Sequence, residues 1–446
     1  MSGKPHQLGN LACHAFVKAS ICVMESPARP KSNSALNVTT YPIARLLLDA
    51  SSENPRPFSS LRVRAGAWFL VPRTRPAPRD GLAIYNPQRL RGKLAKHFLR
   101  NTMWLAPTVW LDKDAVADLL DTLNDHLGGE AADCVFYFRS PGPFSKTIVL
   151  VLDKAGRAIA YVKLAAGDDA METLAHEGEI LDRLAGMPDL RACIPTVTAR
   201  ATWRGFPALV LSVGPSTGTS DVFGHPHRKF LERLHSATAW PGTLEDSAMW
   251  QTMTARLASV RPALQQVWRD RYDWALQHAQ THIGDETIRF GLAHRDFVPW
   301  NIRGRGAEDL FVFDWELARD RCTPGWDYFN FHLATRAVRS RPFDLGTLSG
   351  LIAWAKNDGL QGAEFLLLLY LADAGLFLHG RQQRAPALQP NVFLARVGTA
   401  IDILKGQMAP RAPRKICRSS RGFGAAARPA PGLVEPVLRI AEANEE

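Results

Sequence analysis

Residues 134–213 read as five short strands and a single helix, and after Gly214 the chain reads as helix almost throughout. The first strand runs are 134–139, 147–152 and 158–164, divided by a Ser-Pro-Gly-Pro turn and an Asp-Lys-Ala-Gly-Arg hairpin turn. A helix over 171–184 carries Leu174, Ile180, Leu181 and Leu184 on one face. Strands 196–203 and 208–213 follow, joined by an Arg-Gly turn, and the helical remainder is broken at 290–315 by a loop-and-strand insert. This order predicts an α+β fold in two lobes. A small lobe holds a mainly antiparallel sheet and one helix, a larger lobe is helical, and the site lies between them.

At 446 residues the chain has room for two or three folded units with tails, and its 46% hydrophobic content supports a large core. Residues 1–40 are expected to form a poorly ordered leader and 41–130 an Arg-rich N-terminal extension without an assigned role. The small lobe then spans 131–214, the helical lobe 215–405, and a disordered tail 406–446. The extension closes in an amphipathic helix, with Val116, Leu119, Leu120, Leu123 and Leu127 at helical spacing.

The formal charge of +11 sits on the flanks: residues 51–110 hold eleven Lys and Arg against Glu53 and Asp80, while 111–404 are left at −5. Any polyanion contact therefore belongs to the flank, but a solvated basic surface is the plainer reading, and nucleic acid is not an expected partner. Six scattered cysteines without a Cys-x-x-Cys pair argue against a disulfide framework or zinc ribbon and point to a reducing, cytoplasmic setting. The most apolar run, 365–378, is short and contains Asp373, so it reads as a buried helix, and no membrane partner is expected.

The chemistry concentrates in His294-Arg295-Asp296-Phe297-Val298-Pro299-Trp300-Asn301, followed thirteen residues later by Asp314 in Phe313-Asp314-Trp315-Glu316. Phosphoryl transfer from ATP needs a carboxylate to orient the attacking hydroxyl and oxygen ligands for magnesium. In this pattern Asp296 is the candidate catalytic carboxylate, and Asn301 and Asp314 are the candidate metal ligands.

These segments resemble the aminoglycoside phosphotransferase and choline kinase group of the protein-kinase-like superfamily. Its members carry a His-Gly-Asp-x-x-x-x-Asn loop and then an apolar-Asp-aromatic-Glu segment, matched here at Asp296, Asn301, Asp314 and Glu316. The resemblance covers about 131–380. Arg295 departs from it, standing where the group has glycine; His-Arg-Asp is protein-kinase wording. Only twelve residues separate Asp314 from Asp327, too few for a protein-substrate platform. The resemblance implies a two-lobed protein-kinase-like fold, ATP and Mg2+ as cofactors, and a small-molecule acceptor: a sugar, amino sugar or amino alcohol phosphorylated on a hydroxyl. It also implies a bracing role for Asp327. Asp327, Glu364 and Asp373 are offered as substrate contacts.

Lys163, on the third strand, is the candidate contact for the ATP α/β-phosphates, with Glu177 as its ion-pair partner and Glu179 as second choice. Gly142, Ser145 and Lys146 are candidate nucleotide contacts. The turn 140–145 has one glycine and two prolines, however, and a plain hairpin turn fits it equally well. The backbone of 209–213 is expected to face adenine. Replacing Lys163 by Met is expected to change thermal stability little. Two other readings stay open: a nucleotide-binding pseudokinase, and a regulatory kinase-like domain with a basic, polyanion-binding N-terminal region.

Overall fold

A computed structural model describes residues 41–48, 54–64, 67–74, 78, 80–84, 90–139, 142–215, 222–306, 308–385 and 392–408. The expected leader and nearly all of the expected tail lie outside them. The first part of the chain forms α1 (Pro42–Leu47), β1 (Pro55–Arg64), β2 (Ala67–Pro72), α2 (Leu90–Thr102), β3 (Thr108–Asp112) and α3 (Lys113–Leu127). Next come β4 (Asp133–Phe138), β5 (Lys146–Leu152), β6 (Ala158–Ala165), α4 (Asp168–Ala185), α5 (Pro188–Arg191), β7 (Val197–Trp203) and β8 (Phe206–Ser212).

The eight strands make one antiparallel sheet in the order β3-β1-β2-β4-β5-β6-β8-β7. The expected boundary at 130/131 is therefore corrected: β2 pairs with β4, Phe69 opposite Tyr137, so the sheet passes through it. The N-terminal extension is part of the sheet lobe.

Local chemistry sets the elements. Asp153 turns the β5–β6 hairpin by accepting the backbone N–H groups of Ala155 and Arg157 at 2.8 and 2.9 Å. Asp112 caps α3 by accepting Asp114 N–H at 3.0 Å, and Gly128 ends that helix in the left-handed region. The face of α3 carrying Val116, Leu119 and Leu123 packs with α1 against one side of the sheet, on Phe58, Phe136, Val151 and Val162. Each such fully buried side chain contributes about 1.5–3 kcal/mol. The other side receives α4, whose Leu174, Leu181 and Leu184 join Leu209, Phe297, Val312 and Trp315 in one cluster. That cluster locks the sheet lobe to the segment carrying the functional motif.

The second lobe contains α6 (His225–Thr238), β9 (Trp240–Gly242), α7 (Ala248–Val260), α8 (Gln266–Ile283), β10 (Ile288–Ala293), β11 (Ile302–Arg305), β12 (Asp309–Val312) and β13 (Arg319–Cys322). It ends in α9 (Trp326–Val338), α10 (Leu345–Asn357), α11 (Ala363–Arg384) and α12 (Val392–Met408). Its axis is α11: Leu366 to Leu371 are buried among Met253, Tyr272, Phe329, Leu348 and Ile401. By length and composition α11 is apolar enough to cross a membrane, yet 67% of its apolar window is buried inside the protein, as befits a core helix.

Candidate active site

The β10 strand delivers His294, Arg295 and Asp296 into the cleft, and a buried carboxylate fixes their backbone. Asp327, at the start of α9, accepts His294 N–H at 2.7 Å through Oδ2 and Arg295 N–H at 2.8 Å through Oδ1. Arg295 occupies the left-handed region, with φ +66°, a conformation costly for a residue with a Cβ unless its surroundings enforce it. Burial pushes the Asp327 carboxyl up to about 6 against those two bonds. His294 is fully buried, its Nδ1 accepts Asp296 N–H at 3.1 Å, and its Nε2 lies 3.1 Å from Phe313 O. The proton is therefore on Nε2; burial lowers the imidazole to about 4 and keeps it neutral.

Asn301 Nδ2 donates to the Asp296 backbone oxygen at 3.0 Å and to its Oδ2 at 2.7 Å. The Asp296 carboxyl is pushed up to about 7, first by burial and then by the charge of Asp314, with Asn301 opposing. The β11–β12 hairpin between Asn301 and Phe313 brings Asp314 alongside, and Phe313 N–H returns to Asn301 O at 3.0 Å.

Lys163 reaches down from β6. Its Nζ lies 2.7 Å from both Glu177 oxygens and 2.6 Å from Asp314 Oδ1. Glu177 is fully buried, whereas Glu179 is exposed, so the helix offers Lys163 one partner. Burial works against the lysine charge, but Asp314 and Glu177 hold the ammonium well above its usual range. Desolvation likewise opposes the Asp314 charge, yet Lys163 keeps that carboxylate ionised. Glu177 also accepts Trp315 N–H at 3.2 Å, tying α4 to the segment after Asp314.

Glu177, Asp314 and Glu316 place one oxygen each within 4.8 Å of one another. Asn301 spends its Nδ2 on Asp296, which leaves its amide oxygen as the atom that could ligate a metal. Hard carboxylate and amide oxygens are the donor set magnesium prefers, so these residues fit that ion.

Of the remaining expected contacts, Gly142 and Ser145 line the cleft, while Lys146 is buried and ion-paired to Glu316. A Cβ on Gly142 would meet nothing closer than Ser145 Oγ at 3.5 Å, so that glycine is not sterically required. The expectation for 209–213 is corrected: β8 lies between β6 and β7 and spends the backbone of its residues up to Ser212 on them, so that of the expected five only Val213 lies beyond the strand. A Cβ on Gly214 would sit 2.4 Å from the Phe311 ring. Asp327, Glu364 and Asp373 are not free for substrate. Asp327 holds backbone, Glu364 pairs with Lys356 at 2.9 Å, and Asp373 is fully buried, 2.7 Å from Arg295 Nη2.

Sequence reasoning missed Arg139 and Arg381 as cleft residues, and it marked Arg295 and Glu316 only as motif positions without a role in the cleft. All four line a cavity of about 400 Å³ that also contains Asp296 and Asp314.

No family model matches the sequence, and no curated protein matches it. Among solved structures, the chain is similar to the apo form of a thermostable mutant of aminoglycoside phosphotransferase APH(4)-Ia. That match has a TM-score of 0.45 and 13% identity, over 65% of this chain and 100% of the other. The GDP complex of wild-type aminoglycoside 2'-phosphotransferase-IIIa aligns with a TM-score of 0.43 and 11% identity, over 66% and 99%. Choline kinase LicA from Streptococcus pneumoniae aligns with a TM-score of 0.40 and 14% identity, over 58% and 89%. At these TM-scores and identities no property of those proteins passes to this chain; what the site can do follows from its own geometry.

Proposed function

We propose that the chain is an ATP- and magnesium-dependent phosphotransferase acting on a hydroxyl of a small molecule. One observation carries the reading: Lys163, held by Glu177 in one lobe, reaches Asp314 of the other, whose charge acts on the Asp296 carboxyl that Asn301 holds. In the transfer, the acceptor oxygen forms its bond to the γ-phosphorus while the bond from that phosphorus to the β,γ-bridging oxygen breaks. The electron pair of the broken bond leaves on ADP, and the hydroxyl proton passes to Asp296, whose raised pKa suits a group that takes up a proton near neutrality. Lys163, fixed by Glu177, meets the α/β-phosphates. Asn301 and Asp314 are the residues that would hold magnesium, whose charge when bound offsets that of the phosphates.

The test uses nucleotide binding and acceptor phosphorylation on the same preparations. Asp296→Asn should leave ATP affinity nearly unchanged and lower transfer by about two to four orders of magnitude. Asp314→Ala should abolish magnesium-dependent turnover. Unchanged turnover in a folded Asp314→Ala protein overturns the assignment. A wild type that binds Mg-ATP and phosphorylates nothing across a broad acceptor panel is a nucleotide-binding protein and not an enzyme.

A further inference from the structure

One wall of the cavity beside Asp296 carries positive charge and spare hydrogen-bond donors. Arg295 is 7% exposed and held flat, its guanidinium 4.9 Å from the Trp326 ring centre and 5.7 Å from that of Phe377. Its Nη2 is spent on Asp373, but its Nη1 is buried without a hydrogen-bond acceptor. Asn330, also 7% exposed and lining the cavity, has its Oδ1 occupied by Tyr370 at 3.1 Å and its Nδ2 buried without a partner. Arg381 completes the wall, 4.5 Å from the Phe144 ring centre and 5.4 Å from that of Phe377, with no carboxylate in ion-pair range among the described residues. A buried donor left unpaired costs about 1–3 kcal/mol, more when charged, so two such donors on residues that line one cavity call for an acceptor.

The charge count agrees. Asp373 is the anion shared by Arg295 and, at 3.5 Å, Arg256; Arg319 lies near enough to feel both Asp373 and Arg295, and its own Nη1 is buried and unpaired. Three guanidinium groups, one buried and two half-buried, thus gather around Asp373, and burial depresses the pKa of Arg256 and Arg319. Of the cavity's own carboxylates, Asp314 is paired with Lys163 and Glu316 with Lys146, while Asp296, held by the neutral amide of Asn301, stands at the reacting hydroxyl. Among the described residues that line the cavity, no acid other than Asp296 is left without a cationic partner to receive an ammonium group.

We infer that the acceptor is an anionic alcohol, a hydroxylated molecule bearing a phosphate or carboxylate group, with its anion on Arg295, Arg381 and Asn330 and its hydroxyl at Asp296. Arg295 and Asp296 are consecutive, so anion and reacting hydroxyl are read by one loop. The inference rests on the phosphotransferase reading for the hydroxyl and on the orphaned donors alone for the anion, which lets the two fail separately.

The experiment compares glycerol 3-phosphate, glycerate, glycerol and choline as acceptors with the full chain. It also measures binding of inorganic phosphate by calorimetry with ADP and magnesium at saturation. The expected result is turnover of one or both anionic alcohols, the two arms distinguishing phosphate from carboxylate. Arg381→Gln should raise the KM for the anionic acceptor at least about tenfold with a smaller change in kcat, the scale of one lost charge-assisted hydrogen bond, and Arg381→Lys should recover part of it. Preference for choline or glycerol overturns the inference and leaves the phosphotransferase reading standing. If no acceptor turns over, phosphate binding weakened by Arg381→Gln supports the anion site without the enzyme, and absence of that binding overturns it.

Discussion

Asn301 holds Asp296 at two points, its single amide nitrogen lying 2.7 Å from the carboxylate Oδ2 and 3.0 Å from the backbone oxygen. The bond orients the carboxylate without neutralising it. Burial and Asp314 then raise its proton affinity, so the same residue that would serve the chemistry is a charge the fold is reluctant to keep.

That reluctance has a sign. The Asp296 pKa rises from 3.8 to about 7 in the folded chain, which therefore binds more protons than the unfolded chain between those values. The associated stability is fully present below about pH 4 and is lost as pH rises through about 7. Asp296→Asn removes the charge, so the variant should melt higher than wild type at pH 8, with the gap closing toward pH 4. Thermal melts across that range check it, and a variant that melts lower at pH 8 contradicts it.

Lys163→Met should be strongly destabilising, against the expectation drawn from the sequence. The lysine neutralises Glu177, which has no solvent exposure, and breaking a buried pair from one side typically costs about 3–5 kcal/mol. Lys163→Met/Glu177→Gln should recover much of the loss, because glutamine still offers Trp315 N–H an acceptor. Denaturant melts of wild type and both variants decide it, equal midpoints for the three being the refuting result.

Asp327→Ala leaves the N–H groups of His294 and Arg295 buried without acceptors, at about 1–3 kcal/mol each. The expected outcome is lower stability together with faster amide exchange at His294 and Arg295. Hydrogen exchange at these two positions distinguishes a released loop from general softening.

Gly214→Ala places a methyl against the Phe311 ring, and overpacking of this kind costs about 1–3 kcal/mol. Phe311→Leu in the same chain should relieve part of it. Additive losses in the double variant would mean that the two positions do not touch.

The strands from 133 onward were legible because apolar runs alternate with strong turn signals, and the His294–Asn301 and Phe313–Glu316 segments were legible because their spacing is local. The N-terminal half of the sheet was hidden. The β1 strand opens Pro-Arg-Pro and carries Ser59 and Ser60, both buried by partners that come from 67–72 and 108–112. No period-two pattern announces such a strand, since its burial is settled by tertiary pairing. The Arg295–Asp373 link joins residues far apart in sequence and was hidden, whereas Glu177, one turn from the packed leucines of α4, was legible as the partner of Lys163. Arg295 was visible only as a departure from glycine; the aromatic pair that holds it, Trp326 and Phe377, was not.

The continuous sheet bears on how the chain can be cut. With β2 in place, β4 has a neighbour on each side; a fragment starting at residue 131 would bare one row of its backbone donors and acceptors, and losing α1 and α3 would uncover Phe136 and Val151 as well. An open, apolar strand rim is a template for pairing with another chain. The Arg-rich segment thus works as a permanent guard strand, and a shortened protein that precipitates would be reporting a missing neighbour, not a missing activity.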